Sequence, residues 1–144
     1  MLDRPAANVD VSIEALKANL QRLEREWDTY QSTRDREAVF RYLTAVFELV
    51  TVWAHESMTI EYARWALWLR GHRVVPKTPE PFAVVIFCTA DRQKVDYRTQ
   101  SKWSRALRYA AAYKDLDEPL AAYIKRKGGI NKCAARFTRR PRHG

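Results

Sequence analysis

Residues 38–69, AVFRYLTAVFELVTVWAHESMTIEYARWALWL, contain almost no turn-forming residue, and their reading decides the fold. Val39, Phe40, Leu43, Val46, Phe47, Val50 and Ala54 follow the three-and-four spacing of one helical face. At ~100° per residue, Tyr42, Leu49 and Trp53 widen that face to about half the cylinder. Arg41, Thr44, Glu48, Thr51 and His55 form a narrow polar strip. A helix with so little polar surface is sandwiched between neighbours. A break around Glu56–Ser57, with Ser57 as cap, starts a third helix over residues 58–70, and Gly71 ends it.

Upstream, Asp10 is the expected helix cap, with Glu14 near the positive end of the dipole. Val9, Ile13, Leu16, Leu20, Leu23, Trp27 and Tyr30 then alternate by four and three, a heptad seam over about three repeats. Such a seam suits either a helix folded antiparallel on the central one or a dimer-forming coiled coil. Three heptads are marginal alone, and Gln31, Ser32 and Thr33 offer a short turn, so the intramolecular hairpin is favoured. Trp53, Trp65 and Trp68 form an aromatic cluster that serves as core or, with the seam at 9–30, as a homodimer or partner surface.

Residues 71–81, GHRVVPKTPEP, hold three prolines and are the expected linker. Phe82–Cys88 fits a buried strand by its β-branched content. Thr78 followed by prolines in a first turn reads as a helix start, and no second strand is evident, so a helix is preferred. From Lys94 to Tyr113, Trp103, Ala106, Leu107, Ala110 and Ala111 take one side; Arg98, Lys102, Arg105 and Arg108 gather on the other with Tyr109. A short helix over 120–127 stops at Gly128–Gly129. Asn131 is then either the cap of the last helix, above an Ile130 staple, or a contact residue; the cap is the favoured role. Cys133 and Phe137 share one face of that helix, and Lys132, Arg136, Arg139 and Arg140 another.

The result is an all-α chain of six or seven helices: an N-terminal helical hairpin (9–70, core and dimerisation candidate) and a basic half (79–140) of helix-turn-helix-like form. With 47% hydrophobic residues, the 144-residue chain has ample material for a core. No apolar run reaches the ~20 residues that span a bilayer, and two cysteines suit packed thiols in a reducing, cytoplasmic setting, with a Cys88–Cys133 bridge as the alternative.

Charge is unevenly placed. Beyond Glu118 stand eight basic residues and no acid, leaving 18 basic against 17 acidic in the rest, so +8 of the net +9 lies in the last 26 positions. A near-neutral body with a cationic end suits a polyanion. Catalysis finds little support: His55–Glu56 begins like a zinc-protease helix, but Thr59 stands where the second histidine belongs. No catalytic residue, cofactor or metal ligand is assigned. Residues 120–140 have the general form of a helix-turn-helix, a likeness of geometry over about 20 residues and not a family motif.

The expectation is therefore a non-enzymatic DNA-binding or regulatory protein. Arg136, Arg139 and Arg140 would meet phosphates, Asn131 and Lys132 base edges, and Arg98, Lys102, Arg105, Arg108 and Tyr109 would line a second strip. The alternatives are an RNA binder using Tyr109 and the basic strip, and a helical interaction module of a larger assembly.

Overall fold

A computed structural model describes residue 5 and residues 12–91 and 93–139. Seven helices follow in order: α1 (Ile13–Thr33), α2 (Arg36–His55), α3 (Thr59–Leu69), α4 (Pro81–Thr89), α5 (Tyr97–Tyr113), α6 (Leu120–Arg126) and α7 (Ile130–Arg139). Among the described residues there is no strand, and none of these helices is long and apolar enough to cross a membrane. The chain divides into two compact units, Met1–Asp91 and Arg92–Gly144.

In the first unit, α1 and α2 pack together and both pack on α3 and α4. Ser12 caps α1, its hydroxyl accepting from the Ala15 amide at 3.3 Å. The expected cap, Asp10, and the first seam residue, Val9, lie outside the described residues. Leu16, Leu20, Leu23 and Trp27 are each no more than 3% exposed, so the middle of the heptad seam is buried in the chain's own core, with Ile13 and Tyr30 half-buried. Burying each such leucine contributes on the order of 1.5–3 kcal/mol. Trp27 meets Tyr42 of α2 edge-on at 5.4 Å.

Ser32 and Thr33 do not form the expected turn. They lie in the last turn of α1, their hydroxyls donating back to the Asp28 and Thr29 carbonyls. The link is Arg34, with φ 54°, followed by Asp35, whose carboxylate caps α2 by accepting from the Glu37 amide at 3.1 Å.

Ser57 is not a cap of α3 but the left-handed residue that closes α2, with φ 57°. The Met58 amide donates to Trp53 and the Ser57 amide to Ala54, both at 3.0 Å, the paired bonds of a Schellman motif. Gly71, φ 91°, ends α3 in the same way through His72-to-Leu67 and Gly71-to-Trp68 bonds. Trp53 stacks on Tyr62 at 5.4 Å and 12°. Trp53 and Trp65 are buried and Trp68 half-buried, its ring 5.2 Å from the Arg73 guanidinium.

The proline-rich stretch is packed rather than a linker. Val75 is 1% exposed, Pro79 is buried, and the Arg64 Nε donates to the Pro76 carbonyl at 2.9 Å. Phe82–Cys88 is helical, capped by Glu80 and not by Thr78: the Glu80 carboxylate accepts from the Ala83 amide at 2.9 Å, with Pro81 in the first turn. Because α4 packs on α1, α2 and α3, the division between units falls after Asp91 instead of at 71–81. A hydrogen bond between the Tyr42 and Thr89 hydroxyls at 2.6 Å ties α4 to α2. Cys88 and Cys133 are buried free thiols, one in each unit.

Candidate nucleic-acid interface

The second unit is built on α5. Asp96 caps it, its carboxylate accepting from the Thr99 amide at 2.8 Å. That bond, with further hydrogen bonding to Thr99 and the nearby Arg98 and Lys102 charges, holds the Asp96 carboxyl below its ordinary range. Trp103, Ala106, Leu107 and Ala110 are buried as the periodicity requires, with Gln100 and Ser104 beside them; Ala111 is exposed. Gln100 is accommodated by donating to the Val95 carbonyl at 3.4 Å.

Three inward residues of α6, Leu120, Tyr123 and Ile124, complete this core with Cys133 and Ala134 of α7. The turn between α6 and α7 requires glycine twice: Gly128 and Gly129 have φ 100° and 105°. Their amides close α6 on the Lys125 and Ile124 carbonyls at 3.1 and 2.9 Å.

α7 begins at Ile130, and the Cys133 amide bonds to the Gly129 carbonyl at 3.1 Å. Asn131 is therefore inside the first turn and exposed; it is not the cap. Lys132, Arg136 and Arg139 are exposed, and four-and-three spacing puts them within an arc of about 60°. Arg136 also donates to the Lys127 carbonyl at the end of α6. Arg139 lies along its own helix, Nε donating to the Ala135 carbonyl at 3.4 Å. Arg140 lies outside the described residues.

The cationic strip of α5 divides by role. Arg98 is exposed and Lys102 half-buried. Arg105 donates to the Ser101 carbonyl at 3.3 Å and to the Thr138 hydroxyl of α7 at 2.8 Å. Arg108 lies 4.5 Å above the Phe137 ring centroid, a cation–π contact. These two arginines, one turn apart, join α5 to α7. Tyr109 packs on Tyr113 and Tyr123 at 5.0 and 6.2 Å, so it belongs to a tyrosine cluster. Burial, with Tyr109 adding, pushes the Tyr123 hydroxyl up to about 12.

Carboxylates are confined. Glu118 takes a two-pronged contact from Arg126 at 3.0 and 2.9 Å, which holds its carboxyl below the ordinary range. Asp115 and Asp117 share its loop. The second unit thus has fifteen basic and four acidic residues, net +11, against eleven and thirteen in the first, net −2. Thr138, which accepts the Arg105 bond, is a contact residue that the sequence does not single out; its signal was its position one turn beyond buried Ala134. Among the described residues, no three His, Cys, Asp or Glu side chains gather in a way that could hold a metal ion. Comparison with protein-family models, curated proteins and solved structures returned no match.

Proposed function

We propose that this protein binds duplex DNA without catalysis, through the outer face of α7. The observation that carries the reading is the set of three exposed cations, Lys132, Arg136 and Arg139, on one narrow arc of a helix in an acid-free stretch. Cations so arranged displace condensed counterions from a phosphate backbone, which supplies most sequence-independent affinity. Arg98 and Lys102 of α5 add a second row, and α6, its glycine turn and α7 act as a helix-turn-helix-like pair with α7 turned to the groove. Asn131, exposed in the first turn of α7, has the donor and acceptor to pair with adenine in the major groove. Arg105, Arg108 and Arg136 support this face as well as charging it, because each also holds a neighbouring helix or ring.

The test is fluorescence anisotropy with duplex DNA between ~50 and ~200 mM salt, where a protein of this kind loses affinity steeply. Replacing Lys132 and Arg139 together by alanine flattens the logarithmic salt slope by about two units. Those two are chosen because Arg139 bonds to its own helix and Lys132 rests its alkyl stem on the α6–α7 turn, so the fold should survive their loss. Binding that ignores salt, or preference for RNA of matched length in direct competition, overturns the reading.

A further inference from the structure

Gly128 has a neighbour that Gly129 lacks. A Cβ built on Gly128 would stand 2.5 Å from the Lys132 Cδ and 3.5 Å from its Cβ and Cε, whereas one on Gly129 would meet nothing within 4 Å. The Lys132 side chain therefore lies back over the α6–α7 turn, its stem seated where residue 128 has only a hydrogen. The direction follows from helix geometry, since side chains lean towards the helix N-terminus. Both glycines have a left-handed φ, 100° and 105°, so either is strained by alanine; only at 128 does alanine also displace a cation.

We infer that Gly128 is a positioning residue for DNA binding: its missing side chain is the seat that holds Lys132 against the first turn of α7. This rests on the proposed binding face. The clash from Gly128→Ala falls on the middle of the stem and not on its far end, so its relief requires Lys132 to change rotamer and swing off the turn. Its consequence then appears in where the ammonium stands more than in whether the chain folds. A long side chain held in one place loses less freedom when a phosphate binds it than one that samples all its rotamers. The seat thus converts a surface lysine into a fixed contact beside Asn131, at the end of the helix placed nearest the bases.

The paired variants Gly128→Ala and Gly129→Ala test this, in the full-length chain. Both should lower the melting temperature by a similar amount. In wild type and Gly129→Ala, NMR should show contacts between the Lys132 side-chain methylenes and the α-protons of residue 128; in Gly128→Ala they should vanish. With duplex DNA, Gly128→Ala should flatten the salt slope by about one unit, as Lys132→Ala does, and the double variant should flatten it no further. Gly129→Ala should leave the slope unchanged. Equal slopes for the two glycine variants, or methylene contacts that persist in Gly128→Ala, overturn the inference while wild-type binding stands. Failure of the wild type to bind any duplex overturns the binding reading itself, and the NMR contacts still report on the seat.

Discussion

Cys88 sits in α4 with its thiol buried among the apolar residues of the first unit. Burial pushes its pKa from 9.0 up to about 12; the nearby Arg70 charge opposes that rise and Glu24 adds to it. Between those two values the folded chain keeps a proton that the unfolded chain has lost. The stability contributed by the neutral thiol is fully present below pH 9 and is lost as pH rises towards about 12. Tyr42 is raised in the same sense by burial, and Tyr123 reaches about 12, so all three act together in alkali. Urea midpoints should therefore fall as pH climbs past 9. Cys88→Ala should lower the midpoint at every pH, since it leaves a small void, but make the alkaline fall shallower. Parallel curves for variant and wild type would show that the thiol is not the group responsible.

Helix ends are where elements differ most from the sequence reading. Ser57 adopts a conformation that suits glycine, as Gly71 and Gly128 do at the equivalent position of α3 and α6. A β-carbon in the left-handed region costs on the order of 1 kcal/mol. Ser57→Gly should therefore stabilise the first unit by up to about 0.5 kcal/mol, after the greater freedom of glycine in the unfolded chain is set against it. Thermal unfolding measures this, and a lower melting temperature would mean that the serine side chain makes a compensating contact. The spans of the helices were legible because they follow from burial periodicity: the seam of α1 and the continuous apolar run of α2 admit few other arrangements. Caps were not legible in the same way. Asp10 and Ser12, or Thr78 and Glu80, are near-equal candidates by residue type, and the chain's path into the helix chooses between them. The prolines at 76, 79 and 81 look like a linker by composition, yet they shape a packed bend, since Val75 is buried beneath it. The cationic arc of α7 was legible from spacing alone. The roles of Arg105, Arg108 and Arg136 were not, because periodicity gives the direction of a long side chain but not the partner at its far end.

For the whole molecule, the charge boundary matters more than the net charge. Sequence counting placed the excess in the last 26 residues, but the folded unit that carries it begins at Arg92 and holds net +11 in 53 residues. So much like charge in a small volume opposes compactness, and the few carboxylates offset it only locally, at Asp96 and in the loop holding Glu118. Salt should act on this molecule in two opposite directions. Raising it from ~20 to ~500 mM shortens the screening length from about 20 Å to about 4 Å, which weakens self-repulsion and should raise the melting temperature of the free protein. The same change should weaken the proposed DNA binding, since released counterions then gain less entropy. At low salt, saturating duplex should raise the melting temperature by supplying the missing negative charge, and added salt should erase that gain. Scanning calorimetry with and without DNA across that range provides the measurement. A melting temperature that falls with salt in the free protein would show that its cations are already neutralised within the fold.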